Sequence, residues 1–258
     1  YGHTDSIYCT VDSVEQAKNV LEELNEHVRS YFPNLLELNE HPVVIEFEKY
    51  FESLGVGATK NRNAGLITWK DGKFLDEKEF VMTGFTAKRL SETKLAKDTQ
   101  LSVLNMWVEN NTEQEIADFL RDRYNQVLSG QIPISEVLKR SRYREARFSV
   151  KCGNCKRKKT LDELTRWPCC NKIPIEDSYL FLKVKENHLN YWHPIKQDYV
   201  KPNYVAGLTE ADFAVYQADW AHYADSVIKK AEPVFRAMGW DTMQIKRDLS
   251  QSTLGEWF

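Results

Sequence analysis

The beginning of the chain constrains the fold most strongly, because it has the pattern of one half of a β-hairpin. The chain opens with Tyr-Gly-His-Thr-Asp-Ser, and the alternating residues 7–11 then predict a strand that leaves a tight turn. A hairpin strand needs a neighbour for its backbone hydrogen bonds. No strand precedes this turn, so we expect the neighbour to come from another chain or from polypeptide outside this sequence. The absence of an initiator Met agrees with that expectation.

The rest of the sequence alternates between helical and strand patterns. A capping box of Ser13 and Gln16 precedes an apolar stripe of helical spacing, and Pro33 follows it, so a helix is predicted between them. Residues 43–51 alternate as in a strand, and the Asp71-Gly72 pair predicts a hairpin turn. Further helices are predicted for residues 95–108, from Thr112 with Glu115 to Gly130, and from near Thr209 or after it to Gly239. This mixture predicts an α+β fold.

The net charge of −3 hides two blocks of opposite charge. Residues 12–48 are mostly acidic in their charged positions, whereas residues 139–159 contain ten basic residues and one acidic residue, Glu145. A dense basic stretch suits a polyphosphate backbone, and a solvated helix or ribbon face is the alternative.

The remaining composition limits the class of protein. A hydrophobic fraction of 42% is enough for a core, and no run of 18 uncharged apolar residues predicts a membrane span. Five cysteines in 258 residues are too few for a disulfide scaffold. We therefore expect a reducing compartment.

Several motifs, in order along the chain, resemble family B DNA polymerases. Residues 1–6 resemble the Tyr-Gly-Asp-Thr-Asp-Ser motif of the polymerase palm, and residues 45–49 resemble the acidic palm strand that follows it. Residues 59–66 are similar to the Lys-Lys-Arg-Tyr-Ala-Gly-Leu stretch at the palm–thumb junction. The similarity continues through residues 69–73, 84–104 and 218–240 to the tail at 250–258. An insertion at about residues 150–173 departs from the usual thumb.

The resemblance implies the C-terminal part of a polymerase. Residues 1–58 would be the end of the palm, with antiparallel strands plus a helix, and residues 59–258 a mostly helical thumb with a zinc-ribbon-like insertion. The expected activity is nucleotidyl transfer on primer–template DNA with deoxynucleoside triphosphates, in the small subunit of a split archaeal or viral enzyme. Such an enzyme would act in the cytoplasm of a prokaryotic cell or of a virus-infected host. A large polymerase chain with the exonuclease, the fingers and the remaining palm would be the partner. The alternative is a non-catalytic accessory that binds DNA and a sliding clamp.

The resemblance also implies the catalytic residues. Asp5 occupies the position of the second motif Asp, which bridges two Mg²⁺ ions with an Asp from another palm strand. His3 replaces the first Asp and leaves open a weakened activity, and Thr4 lies between them in the motif. Glu46 and Glu48 are expected near the same Mg²⁺ site. The alternatives are an ordinary turn Asp and a solvated acidic strand edge.

Six basic residues are candidates for DNA contacts. The resemblance places Lys60 and Arg62 at the junction and Arg89 on the thumb, although Asn61 and Asn63 replace a basic and an aromatic residue there. The basic segment adds Arg142, Arg144 and Arg147. Each is otherwise an ordinary surface charge.

The cysteine pattern predicts a structural zinc site. Cys152 and Cys155 form a CxxC knuckle, and Cys169 and Cys170 follow after 13 intervening residues. Four thiolates with this spacing suit tetrahedral Zn²⁺, and His188 or His193 could replace one of the adjacent pair. Cys9, alone on the predicted strand, is expected to be a buried small apolar residue.

The C-terminus resembles the peptide with which replication enzymes bind a sliding clamp. Gln251, Leu254, Trp257 and Phe258 follow its Gln-x-x-Leu-x-x-aromatic-aromatic spacing. A helical turn would place the three apolar residues on one side. The alternative is that the aromatic residues pack back on the thumb.

Overall fold

The computed structural model describes residues 2–3, 6–89, 91–142, 149–151, 158–160, 178–185, 191–193, 197–200 and 203–246. Two compact units divide the chain, Tyr1–Gly84 and Phe85–Phe258, and each is considered by itself. Helices occur together with antiparallel sheets, which confirms the predicted α+β class. No helix among the described residues is both long and apolar enough to cross a bilayer.

The N-terminal unit begins with a short hairpin. Strand β1 (Gly2–His3) pairs with β2 (Ser6–Ile7), with Gly2 opposite Ile7 and His3 opposite Ser6. The expectation that no preceding strand is present was therefore wrong, because the chain itself contains two residues of the neighbouring strand.

The strand predicted for residues 7–11 is also shorter than expected. Among the described residues the ladder ends at Ile7, which pairs with Gly2. Cys9 follows the end of the strand and is exposed, so the prediction that it is buried was wrong. Tyr8 is half-buried and lies near Phe51, with 6.2 Å between ring centroids.

Helix α1 (Val14–Tyr31) follows as predicted. The Ser13 side chain accepts a hydrogen bond from the Gln16 N–H at 3.1 Å and caps the helix. The Gln16 side chain accepts from the N–H of Asp12, one residue earlier than a standard capping box requires. The predicted apolar stripe is half-buried.

A three-stranded antiparallel sheet completes the N-terminal unit, with β4 (Asn63–Lys70) between β3 (Lys49–Val56) and β5 (Lys73–Thr83). The predicted Asp71-Gly72 turn is confirmed: φ is 52° at Asp71 and 86° at Gly72, as a two-residue hairpin turn requires. The central strand is the most buried one. A Cβ at Gly65 would lie 2.6 Å from Phe51 Cδ1, so the close approach of β3 and β4 requires glycine there.

The sheet crosses the boundary predicted between residues 58 and 59, because β3 and β4 lie on either side of it. The compact unit continues to Gly84. The assignment of these parts to a palm and a thumb stays a prediction.

The C-terminal unit contains three packed helices, α2 (Lys94–Val108), α3 (Glu113–Leu128) and α4 (Trp220–Met238), followed by the short α5 (Met243–Lys246). Helix α4 packs against both α2 and α3. The core residues between them include Leu104, Leu120 and Phe235. The capping box of Thr112 and Glu115 is present, and Gly239 in the left-handed region ends α4.

Helix α4 begins after Thr209, as the prediction allowed. Thr209 forms a capping box with Asp212 around a single 3₁₀ turn at Glu210–Phe213, and α4 begins at Trp220 with Asp219 as its N-cap. The two caps are ten residues apart, and the second one begins the long helix.

The C-terminal unit also contains a three-stranded antiparallel sheet, with β9 (Ser178–Lys183) between β6 (Lys139–Arg142) and β12 (Tyr204–Gly207). The Lys183 N–H donates to the Tyr223 hydroxyl at 2.7 Å, which joins β9 to α4, and burial raises the pKa of Tyr223. Two further hairpins pair β7 (Ser149–Lys151) with β8 (Lys158–Thr160), and β10 (Tyr191–His193) with β11 (Asp198–Val200).

Candidate functional site

The candidate catalytic residues lie in the first hairpin. His3 pairs with Ser6 across β1 and β2, so Thr4 and Asp5 are the two residues that connect the strands. Both lie outside the described residues, as does the side chain of His3. The structure therefore establishes the pairing register of the two strands, which are antiparallel on either side of the motif.

The acidic segment at residues 45–48 is fastened to α1 by one side chain. Asn25 Oδ1 accepts from the Ile45 N–H at 2.8 Å, and Asn25 Nδ2 donates to the Ile45 carbonyl at 2.9 Å. Phe47 stacks on Trp69, with 4.2 Å between centroids and 13° between ring planes. The segment is thus held in place without being part of the sheet, and β3 begins only at Lys49.

In this arrangement the burial of residues 45–48 alternates, as expected from the alternating pattern of residues 43–51. Ile45 and Phe47 are half-buried, whereas Glu46 and Glu48 are exposed. Glu48 Oε1 lies 2.6 Å from Lys49 Nζ, so a neighbouring cation already balances one of the two charges. Among the residues with described positions, no group of three His, Cys, Asp or Glu side chains could hold a metal ion.

Lys60 and Arg62 lie in the connection between β3 and β4. The Gly57 N–H donates to the Arg62 carbonyl at 2.7 Å and closes this loop. Asn61 has φ 62°, in the left-handed region that Asn tolerates better than most residues. Lys60 is exposed and Arg62 half-buried, so both charged groups belong to a defined loop at the edge of the sheet.

Arg89 follows a 3₁₀ turn at Thr86–Lys88 in the C-terminal unit. Phe85 and Ala87 are buried beneath this turn, while Lys88 and Arg89 are exposed. Two adjacent cationic side chains are therefore exposed to solvent on a turn that buried apolar residues hold in place.

Strand β6 carries the first part of the basic stretch. Arg140 and Arg142 are exposed on one face, whereas Lys139 and Ser141 are half-buried on the other. Arg140 Nη1 donates to Ser178 Oγ on β9 at 3.3 Å. Arg144 and Arg147 lie outside the described residues.

A groove of about 350 Å³ next to β6 is lined by basic residues that the family motifs do not indicate. Lys94 and Lys97, on the first turns of α2, line it together with Arg140. Glu92 and Glu210 also line it, but Glu92 is paired with Lys230 at 3.1 Å. Lys94 and Lys97 have helical spacing, yet no sequence pattern connects them to Arg140; only the fold does.

The zinc candidates lie mostly beyond the described part of the chain. In the β7–β8 hairpin Lys151 pairs with Lys158, so the connecting residues 152–157 contain Cys152 and Cys155. Cys169, Cys170 and His188 lie outside the described residues, and His193 is described only as a backbone position opposite Asp198.

The candidate clamp peptide follows a well-fastened segment. Ile245 is buried, and Lys246 forms an ion pair with Asp225 at 2.9 Å; that hydrogen bond raises the pKa of Lys246. Gln251, Leu254, Trp257 and Phe258 lie outside the described residues.

Comparison with known proteins decides the family. The family model of DNA polymerase family B matches residues 1–206, which extend from the first hairpin into β12. The chain belongs to DNA polymerase family B. No curated protein matches it in sequence.

Membership in family B has direct chemical consequences. The family's enzymes bind DNA and deoxynucleoside triphosphates, transfer nucleotides and generally use Mg²⁺. The matched range includes the first hairpin, the acidic segment at residues 45–48, the loop between β3 and β4, and β6. Helix α4 and residues 250–258 follow the matched range.

Proposed function

We propose that this chain supplies the last catalytic palm motif and the thumb of a family B DNA polymerase, and that it extends primers only together with a second polymerase chain. The family match over residues 1–206, which includes the hairpin with the motif of His3, Thr4 and Asp5, carries this proposal. The second chain would contribute the exonuclease, the fingers and the remaining palm with its own metal-binding aspartate.

The surface of the N-terminal unit supports such a partner. Large apolar side chains are exposed at the end of α1 and in the segment after it, including Tyr31 at 78%, Leu35 at 85% and Leu36 at 78%. Several large exposed apolar side chains in one short segment are typical of a surface that another protein segment covers. Helix α1 is also only half-buried along its apolar stripe.

In this proposal Asp5 holds Mg²⁺, with His3 and Thr4 beside it and with Glu46 and Glu48 as acidic neighbours. A carboxylate fits this ion, because Mg²⁺ binds through one or two carboxylates plus substrate phosphates. When bound, the ion stabilises charge on the phosphates during nucleotide transfer. His3 is a poor ligand for Mg²⁺ and therefore does not replace a carboxylate.

The thumb would hold the duplex through its phosphates. Lys60, Arg62, Arg89 and Arg142 are the described candidates, with Arg144 and Arg147 beyond them, and the groove adds Lys94, Lys97 and Arg140. Phosphate contacts position a duplex without reading its sequence. Such contacts suit an enzyme that must accept any template.

A reconstitution experiment tests the proposed function. We expect no primer extension from this chain alone, and extension in Mg²⁺ when it is combined with the polymerase chain that carries the other palm aspartate. Extension by either chain alone at the rate of the pair would contradict the proposal.

His3 specifically favours a second candidate, a DNA- and clamp-binding accessory without catalysis. A pair that binds DNA and the clamp but extends no primer would support this alternative.

Neutralising the four described basic candidates should weaken duplex binding and flatten its salt dependence. For the combined Lys60→Gln, Arg62→Gln, Arg89→Gln and Arg142→Gln variant, we expect the slope of log affinity against log salt to fall in magnitude by about 3.6, because each of the four phosphate contacts contributes about 0.9. Fluorescence anisotropy with a primer–template duplex measures this slope.

Lys78→Gln is the matched control for the salt experiment, because Lys78 is exposed and pairs with Glu52 at 2.7 Å on the sheet. It should leave the slope unchanged. An unchanged slope in the fourfold variant would show that these residues do not contact the duplex.

Deleting residues 251–258 should remove stimulation by a sliding clamp and spare basal extension, because Leu254, Trp257 and Phe258 would no longer enter the clamp. Product lengths with and without the clamp measure the effect. Ser252→Ala, outside the motif spacing, is the control. Equal losses of extension with and without the clamp would indicate instead that the aromatic residues pack back on the thumb.

A further inference from the structure

The segment Thr86–Glu92 carries two exposed cations; α2 and α4 both hold its beginning, and α4 holds its end. Its middle is exposed at Lys88 and Arg89. Within the segment, the Arg89 N–H donates to the Thr86 carbonyl at 2.9 Å, and the Glu92 N–H donates to the Arg89 carbonyl at 3.2 Å. These two local bonds alone would leave a short surface turn free to fray.

Gln100 of α2 holds the beginning of the segment from below. It is a rare buried polar side chain of this unit, with 3% of its surface exposed. Its Oε1 accepts from the Ala87 N–H at 2.7 Å and from the Thr86 hydroxyl at 3.1 Å. Its Nε2 faces α4 and donates to the Lys230 carbonyl at 3.4 Å. Both ends of the amide are therefore used.

Lys230 of α4 joins the beginning of the segment to its end. Its Nζ donates to Thr86 Oγ1 at 3.0 Å and lies 3.1 Å from Glu92 Oε2. The Lys230 and Glu92 side chains are only 15% and 17% exposed. One ammonium group thus bridges residues 86 and 92, on either side of the exposed Arg89.

These contacts of Gln100 and Lys230 are better explained by the arrangement they fix than by a contribution to the free energy of folding. A largely buried ion pair gains little over apolar groups of the same volume, because both charges lose their hydration. What it does provide is a fixed arrangement, since a buried lysine must find its partners. Here the partners are the two ends of the segment that bears Lys88 and Arg89.

We propose that Lys230 and Gln100 are positioning residues that hold Thr86–Glu92 in the geometry in which Arg89 and Lys88 meet the phosphates of duplex DNA. This inference rests on the proposed role of Arg89 in DNA binding. A segment that is already ordered loses less conformational entropy when the duplex binds, so the contacts it makes are stronger.

The test uses Lys230→Met in the full chain, which keeps the aliphatic volume of the side chain and removes the ammonium group. We expect duplex affinity to fall about fivefold, as for Arg89→Ala, and the double variant to lose little more than Arg89→Ala alone. Lys229→Met is the matched control, because Lys229 is the exposed neighbour on the same helix turn. It should change affinity little.

Amide hydrogen exchange of the DNA-free chain gives a second readout that does not depend on DNA. Lys230→Met should speed exchange at Ala87 and Arg89 about tenfold and leave the core of α3 unchanged. Thr86→Val removes only the hydroxyl that Gln100 and Lys230 share, so it serves if Lys230→Met fails to fold. Like Lys230→Met, it should speed exchange at Ala87 and Arg89 and lower duplex affinity.

The outcomes separate the positioning role from the DNA contact itself. If Arg89→Ala leaves duplex affinity unchanged, the proposed DNA contact is wrong, whatever the exchange rates show. If Arg89→Ala weakens binding but Lys230→Met and Thr86→Val do not, the positioning role is wrong. Fully additive losses in the double variant would also overturn it, because Lys230 would then act independently of Arg89.

Discussion

Replacing Asp5 with alanine should abolish nucleotide addition by the assembled enzyme while duplex binding persists. The Asp5 carboxylate is proposed to hold Mg²⁺, and a catalytic metal ion contributes several kcal/mol to stabilising charge in the transition state. Because 1.36 kcal/mol corresponds to a factor of ten, we expect a rate at least about a thousandfold lower. Single-turnover primer extension measures the rate, and anisotropy with the same duplex measures binding.

Carboxylates elsewhere in the N-terminal unit serve as controls for Asp5. Asp12 is exposed directly before α1, and Asp12→Asn should leave the extension rate unchanged. Glu46→Gln and Glu48→Gln should have smaller effects than Asp5→Ala, because both side chains are exposed and Glu48 already pairs with Lys49. A fully active Asp5→Ala enzyme would refute the assignment of Asp5.

The same assay distinguishes the roles open to His3. If its position needs no carboxylate, His3→Asp should keep or raise activity, because Asp is the family's usual residue there. Loss of activity in His3→Asp would instead give the imidazole a role of its own, at the primer terminus or in reducing charge repulsion near the metal ions.

The features that were predicted correctly are those that three or four neighbouring residues specify by themselves. The Ser13 cap, the Thr112–Glu115 box and the Asp71-Gly72 turn are all present. Caps and turns satisfy backbone groups in their immediate neighbourhood, so their residues can be recognised without knowledge of the rest of the chain.

Strand lengths were predicted poorly, because a strand depends on a neighbour that its own sequence does not specify. Residues 8–11 and 43–48 have alternating patterns but no ladder of their own. Asn25, twenty residues before Ile45, provides the hydrogen bonds that a neighbouring strand would have given. The exposure of Cys9 has the same origin, since it follows the residue at which pairing ends.

The candidate site was predicted through family motifs, and this limits what could be found. The motifs indicate single residues such as Arg89, but not the partners that fix them. Gln100 and Lys230 are 130 residues apart, and only the packing of α2 against α4 joins them beneath the same turn. Lys94 and Arg140 are likewise brought to one groove by the fold.

Removing zinc should disrupt the insertion, which is the second large effect we expect. Purified protein should contain about one zinc ion for each chain. Structural zinc sites contribute on the order of 10 kcal/mol to folding, so Cys152→Ser or Cys155→Ser should release the metal and make residues 150–173 sensitive to protease. Elemental analysis and limited proteolysis measure the two effects.

Cys9→Ser is the matched control for the zinc experiment, because Cys9 is exposed and lies in the other unit. Separate Cys169→Ser and Cys170→Ser variants identify which of the adjacent thiolates binds, and retention of zinc in both would assign the fourth ligand to His188 or His193. Purified protein without zinc would refute the site.

Zinc loss should also weaken duplex binding, for a reason that lies in the β7–β8 hairpin. Lys151 and Lys158 are paired across its two strands, directly next to the segment with Cys152 and Cys155. A metal ion that closes this segment would keep the lysines that flank it, Lys151 and residues 156–159, on one small ribbon. A chelator should therefore lower both duplex affinity and its salt slope, whereas loss of zinc without any change in DNA binding would restrict the site to a structural role in the insertion.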